Sequence, residues 1–192
     1  MKIIKNIEII DLALKYKDNL ILADFHIGFE EALNKQGVLI PRFQFNEVIK
    51  RLEKIFSKIK VKKIIINGDI KHEFGKISDQ EWRDTLKLLD FLSSKGEVIL
   101  IKGNHDAILG PIAEKRNIKI MDYYNLDDIT ILHGNKILRD LRKILIIAHE
   151  HPAISFRERP DEKFKCFLLG KWKRKILIVQ PSFNLVTEGT DV

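Results

Sequence analysis

The sequence contains a single cysteine, Cys166, among 192 residues. One thiol excludes an internal disulfide framework and a cysteine-based zinc cluster, and it suits a reducing cytosol. Proline is scarce, at five residues. No Pro/Gly/Ser-rich linker, internal repeat or low-complexity stretch divides the chain, which predicts one domain over residues 1–192. No apolar run nears the roughly 18 residues of a membrane span. Met1–Ile10 lacks the uninterrupted apolar segment of a secretory signal, because Lys2, Lys5 and Glu8 break it. A cytoplasmic protein without membrane contact is therefore expected. The chain stops at Gly189-Thr190-Asp191-Val192 with no natural-looking closing element, so a truncated C-terminus is a further expectation.

What the sequence does contain is ordinary for a folded enzyme. With 45% hydrophobic and 32% charged residues, it is neither a disordered tail nor a fibrous repeat. A chain of this length buries about 70% of its unfolded surface and needs no staples. Lys and Arg number 34 against 27 Asp and Glu, a formal charge of +7. That balance favours anionic partners such as nucleic acid or phosphorylated metabolites, and says nothing of the chemistry.

Short apolar runs that end abruptly in polar residues recur along the chain. Leu20–Ala23 ends in Asp24-Phe25-His26, and Lys63–Ile66 ends in Asn67-Gly68-Asp69. Val98–Ile101 ends in Lys102-Gly103-Asn104-His105-Asp106, Ile129–Leu132 in His133-Gly134, and Ile144–Ala148 in His149-Glu150-His151. Runs of this length and composition read as strands buried on both faces. Between them, Val48, Ile49, Leu52, Ile55, Phe56 and Ile59 follow a helical period from near Arg42. Ser78–Glu81 has capping-box spacing ahead of Trp82, Leu86, Leu89 and Leu92, with Gly96 as the stop. A short helix is expected over 107–116, a hairpin from Ile7–Tyr16 through Lys17-Asp18-Asn19 into the Leu20 strand, and another over Phe164–Gln180 turning at Gly170-Lys171. Cys166, inside an apolar strand, reads as a buried small hydrophobe. The whole predicts a layered α/β fold with a mixed sheet.

In open α/β folds, ligands bind beyond the carboxyl ends of the strands. Five of the six histidines (His26, His105, His133, His149, His151) stand at such ends, and His72 lies three residues past Asp69. Carboxylate, amide oxygen and imidazole together suit a borderline divalent transition ion: too rich in nitrogen for Ca²⁺ or Mg²⁺, and lacking thiolate. Asp24, His26, Asp69, Asn104, His133, His149 and His151 make seven candidate metal ligands. Seven is too many for one four-coordinate ion and suits two ions that share a carboxylate.

This ordered pattern (Asp-x-His, Gly-Asp, Gly-Asn-His-Asp, His, His-x-His over Asp24–His151) resembles the calcineurin-like binuclear metallophosphoesterases. The resemblance implies a four-layer α/β/β/α sandwich with two metals at one edge. It implies one ion on Asp24, His26 and His151, a second on Asn104, His133 and His149, and Asp69 between them. The family often has Gly before the last His-x-His, where this chain has Ala148. Gly68–Gly75, Gly37–Arg42 and Pro181–Asn184 are similar, more narrowly, to small archaeal phosphoesterases related to the SbcD-type nuclease and to the ligase-associated phosphoesterases.

The mechanism implied is in-line attack on phosphorus by a water acidified between two divalent ions, Mn²⁺ ahead of Fe, Ni and Zn. His105 is the expected proton donor to the leaving group, and Asp106 the carboxylate expected to orient an imidazole. His72 and Arg157 are expected near substrate. Trp172, among Lys171, Lys173, Arg174 and Lys175, reads either as a nucleic-acid contact or as a solvated hairpin tip. A phosphodiesterase acting on nucleic acid or nucleotides leads the readings. A phosphomonoesterase or small-nucleotide hydrolase and a non-catalytic metal-bearing scaffold follow. A homodimer or an accessory protein partner fits a chain too short for a second DNA-gripping domain.

Overall fold

Strands that are apolar on both faces need cover on both sides. The computed structural model, which describes residues 1–4, 6–75 and 77–192, meets that need with helices on one side and a second sheet on the other. Lys5 and Lys76 lie outside the described residues. Seven strands form the first sheet in sequence order: β1 (Lys2–Ile4), β2 (Ile7–Ile10), β3 (Ala13–Tyr16), β4 (Asn19–Leu22), β5 (Lys63–Asn67), β6 (Glu97–Ile101) and β7 (Lys119–Met121). The first four pair antiparallel as hairpins, and β4 to β7 run parallel. The crossovers carry α1 (Phe29–Lys35), α2 (Gln44–Phe56), α3 (Asp79–Ser93) and α4 (Gly110–Glu114).

The remaining strands are β8 (Tyr123–Leu126), β9 (Ile129–Leu132), β10 (Ile144–Ile147), β11 (Pro152–Phe156), β12 (Arg159–Lys165), β13 (Leu168–Trp172), β14 (Lys175–Val179) and β15 (Thr190–Asp191). Five of them form a second mixed sheet in the order β13-β14-β10-β9-β8, and β12-β11-β15 form a third. The two-residue period of a strand sorts its side chains between two cores. Leu20, Leu22, Ile64, Ile66, Val98 and Leu100 pack against Val48, Leu52 and Ile55 of α2 and Leu88, Leu89 and Leu92 of α3. Their neighbours Ile21, Ile65, Ile99 and Ile101 face Ile129, Ile131, Ile146 and Ile178 of the second sheet.

Several elements lie where the sequence predicts them. The Ser78 capping box is formed: Ser78 Oγ accepts from Glu81 N at 3.1 Å while the Glu81 carboxylate accepts from Ser78 N. Trp82 is half-buried against the helix-side core. The 107–116 helix is a shorter one, Gly110–Glu114.

Three expectations are corrected. The segment 7–16 is two strands, turning at Asp11, whose φ is +59°. The C-terminal hairpin turns at Lys173-Arg174, both with positive φ, so Gly170 and Lys171 lie within β13. Cys166 is only partly buried, between β12 and β13. The layered α/β arrangement with mixed sheets is the expected one, but its fourth layer holds no helix among the described residues. Instead, Leu138, Leu141 and Trp172 lie over Leu132, Leu145, Ile147 and Leu177 on the outer face of the second sheet. The ten residues between His133 and Ile144 are short for a helical crossover, and β9 and β10 are joined by loop alone.

Candidate metal centre

β4, β5 and β6 run parallel in the first sheet, as do β9, β10 and β14 in the second. Parallel strands end on one side, so the loops leaving them open on a common cleft. Hydrogen bonds carry the β4–β5 pairing past the strands: Asp24 N to Gly68 O (3.2 Å), His26 N to Asp69 O (2.9 Å) and Ile27 N to Ile70 O (2.9 Å). The two sheets are stitched by the segment after β14. Gln180 bonds Ile147 O through its backbone and Ile21 O through Nε2, and Phe183 N and Asn184 N donate to Ala23 O and Asp24 O. Lys165 Nζ holds that segment from the side, on Ser182 Oγ (2.6 Å) and Asn184 O (2.5 Å). Gln44, at the start of α2, donates Nε2 to Phe25 O, and buried Glu30 accepts from the backbone of Phe43 and Gln44.

These bonds hold the backbone in an unusual state. Asp24, His26, Asp69, His149 and His151 all have φ between +45° and +70°. Such conformations cost of order 1 kcal/mol each for residues with a Cβ. Five in one cleft mark a place where geometry has been kept at the expense of stability.

Among the described residues, three sets of side chains have ligand atoms within 4.8 Å of one another: Asp24, His26 and His151; Asp69, His133 and His149; and His26, His72 and His105, which shares His26 with the first. The first two groups consist of predicted ligands alone. Asn104 Oδ1 joins the second, 2.9 Å from His133 Nε2. Asp69 lies between the groups, its Oδ2 3.2 Å from His133 Nε2 and 3.8 Å from His26 Nε2. All seven sequence candidates are therefore within one cleft.

The donor set fits cations. His133 Nδ1 faces the Asn67 carbonyl at 3.3 Å, so Nδ1 carries the proton and Nε2 presents a lone pair. That lone pair faces Asn104 Oδ1, Asp69 Oδ2 and His149 Nδ1 (3.2 Å) at once. His26 Nε2 and His151 Nε2 likewise meet at 3.2 Å. Asp24 Oδ1 and His26 Nδ1 are buried with no hydrogen-bond partner. One proton satisfies one of the contacts between lone pairs; a divalent ion in each group satisfies these contacts together.

Other sequence candidates take different places. His105 Nδ1 donates to the His72 carbonyl, its Nε2 is 3.9 Å from Asp69 Oδ2, and its backbone N–H donates to Asp69 Oδ1 at 2.9 Å. His72 lines the cleft, its ring 5.5 Å from those of both His26 and His105. Among the described residues Asp106 has no hydrogen bond to an imidazole: its carboxylate accepts from Ile70 N (3.2 Å) and Gly103 N (2.9 Å), joining the two loops that carry Asp69 and Asn104. Burial raises its pKa to about 7. Arg157 is exposed in the β11–β12 turn, beyond a strand of five residues, which puts it about 20 Å along the chain from His151.

Two neighbours escaped the sequence reading. Phe74, exposed, lies over the His105 ring with centroids 3.7 Å apart. Glu81, read only as a cap, also accepts from the backbone N–H groups of His72 (2.7 Å) and Glu73 (2.9 Å) and so shapes the loop carrying His72.

Titration of the metal-free site follows from burial. Desolvation pushes His26 down to about 2 and, with the charge of His105, His72 down to about 4. Both rings protonate in the unfolded chain near the ordinary 6.5. Their contribution to stability is complete above that value and is lost as pH falls toward 4 and below. Burial lowers His133 too, but its bond to Asp69 and the charges of Asp24 and Asp69 outweigh that, so its pKa is raised and the stability it adds appears as pH falls toward 6.5. Asp106, raised by burial to about 7, adds stability as pH falls from there toward the ordinary 3.8 and so opposes the two depressed rings. His72→Asn isolates the loss carried by one ring: in EDTA its thermal midpoint is expected to fall less between pH 7 and pH 4 than that of the wild type. An equal or larger fall in the variant would contradict this.

Residues 20–179 match the calcineurin-like phosphoesterase family. The chain belongs to that family. Among solved structures, the phosphoesterase is similar to the nuclease MPE of Pseudomonas putida, with a TM-score of 0.71 and 22% identity over 95% of this chain and 84% of that one. A protein of unknown function from Aquifex aeolicus aligns with a TM-score of 0.45 and 19% identity over 73% of this chain and 81% of that one. No curated protein matches the chain. The family implies divalent metal ions and a phosphoester substrate, and the two groups above are the phosphoesterase's candidates to hold the ions. Among the described residues, no helix is long and apolar enough to cross a membrane.

Proposed function

We propose that the phosphoesterase is a binuclear enzyme that hydrolyses phosphodiesters of nucleic acid or nucleotides, with Mn²⁺ as the preferred ion. The observation carrying this reading is the convergence of carboxylate, amide and imidazole lone pairs on two adjoining points with Asp69 between them. Asp24, His26 and His151 would hold one ion, Asn104, His133 and His149 the other, and Asp69 both. Bound there, the ions supply Lewis acidity: they lower the pKa of water and neutralise phosphate charge. The positive-φ loops and their backbone bonds fix the ligands in advance, so little reorganisation attends substrate binding.

His105 would deliver the proton to the leaving oxygen. The His72 carbonyl accepts from Nδ1, which leaves Nε2 directed at the cleft. Packing under Phe74 holds the ring in that orientation. His105→Asn is expected to lower kcat by about 100-fold on a nucleoside diester, and less on bis(4-nitrophenyl) phosphate, whose leaving group needs no proton. Metal content should be unchanged. Equal losses on both substrates, or none, would remove His105 from this role.

The net charge of +7 and the expected cytoplasmic setting favour a nucleotide substrate over a neutral ester. Elemental analysis together with activity on diesters, monoesters and single-stranded DNA under several added metals tests the proposal. Preference for a monoester would select the phosphomonoesterase reading, and a metal-loaded protein inert to every ester would select the scaffold.

A further inference from the structure

A groove of about 450 Å³ opens from the centre on its Asn104 and His133 side. Two of the candidate ligands are therefore part of its lining. Leu132, Leu138 and Ala107 line it too, with Lys102 and Lys136. Both lysines are exposed, and among the described residues neither joins an ion pair. Asp122 is the one carboxylate in the same lining, which keeps an excess of positive charge. Lys102 is two residues from Asn104 and Lys136 three from His133, so their Cα atoms lie within about 7 and about 11 Å of those ligands'.

One lining thus combines two metal ligands, apolar side chains and two unpaired cations. A polynucleotide presents the matching chemistry, phosphates separated by a nucleoside. We infer that this groove binds the nucleotide adjoining the scissile phosphate, with Lys102 and Lys136 on the next phosphate of a single-stranded chain. The inference rests on the phosphodiesterase reading and narrows its substrate to one with at least two phosphates. A simple aryl diester fills the centre and leaves the lysines empty. The mixture of apolar and basic residues in the lining suits such a chain, since a sugar and base present little charge between the phosphates.

The test compares the wild type with Lys102→Gln/Lys136→Gln and with a charge-matched control, Lys50→Gln/Lys54→Gln, on the exposed side of α2. Two readouts are taken. One is the ratio of kcat/KM on a trinucleotide to kcat/KM on bis(4-nitrophenyl) phosphate. The other is binding of a fluorescein-labelled single-stranded 12-mer by anisotropy, at several salt concentrations. The ratio should fall about 10-fold through KM in the groove variant and hold in the control. The salt slope of 12-mer binding should fall by about 0.7 in the groove variant, one phosphate's worth.

An unchanged ratio and salt slope in a metal-loaded, active groove variant would overturn the inference, as would equal losses in the control. Lysine-dependent 12-mer binding by a wild type that hydrolyses no ester would uphold the groove and sink the catalytic reading. Lysine-independent binding by an active enzyme would do the reverse. A drop in the ratio when a dinucleoside polyphosphate, but not the trinucleotide, is the substrate would also overturn it.

Discussion

Gly103→Ala is expected to lower turnover by at least about 100-fold and to reduce bound metal, while far-UV circular dichroism stays that of the native fold. A Cβ at position 103 would stand 2.5 Å from the backbone nitrogen of Asp69 and closer still to its Oδ1. Backbone cannot swing aside as a flexible side chain can. The loop carrying Asn104 and His105 must then move away from the loop carrying Asp69, and displacements near 1 Å at a catalytic constellation cost about 100-fold. Gly103 also donates its N–H to Asp106, so the shift loosens the buried bracket between the two loops. Gly170→Ala is the control. Its Cβ meets nothing within 4 Å, and the expected change in stability is within about 0.5 kcal/mol. Kinetics with added metal and the metal-to-protein ratio read the effect. A Gly103→Ala enzyme with native metal content and turnover would show that the two loops need not touch.

Asp69→Asn is the second large effect expected. Asparagine keeps the shape and an oxygen to accept from His105 N, a bond of 2.9 Å in the native protein. What it loses is the negative charge between His133, His26 and His105. In the native protein burial works against that charge, but the His133 contact prevails and holds the carboxyl down to about 2, so it stays ionised at any working pH. Losing partners that merely orient a ligand typically costs 10–100-fold in metal affinity or activity. A residue shared by both groups should exceed that range. Titrating metal into the chelated variant while following activity separates weaker loading, which excess ion restores in part, from loss of chemistry, which it does not. Full activity at stoichiometric metal would remove Asp69 from its proposed place between the ions.

Both residues were visible in the sequence because polar groups at strand ends carry a strong signal. An isoleucine run such as Lys63–Asn67 is buried on both faces, so its end is sharp and the first polar residues after it fall at the rim. The same logic located Asp24, Asn104, His133 and His149. Residues whose roles depend on packing between distant segments gave no such signal. Glu81 satisfies its local capping pattern completely, and nothing nearby tells that one carboxylate oxygen also serves His72 and Glu73. Lys173-Arg174 makes a tight turn without Gly, Asn or Asp, whereas Gly170, the usual turn marker, lies within a strand because its register with Leu177 is set by the rest of the sheet. Asp106 sits beside the proposed proton donor in sequence but points inward, because the strand-end turn sends neighbouring side chains to opposite sides.

The stitch made by Gln180, Phe183 and Asn184 has a consequence for how the protein is made. Asp24, Asp69 and Asn104 are synthesised first, and the opposite wall of the cleft, with the segment that pins it to Ala23 and Asp24, emerges from the ribosome after them. During translation the nascent chain holds half a basin with nothing to close it. Capture of both ions would thereby wait until Asn184 has left the exit tunnel.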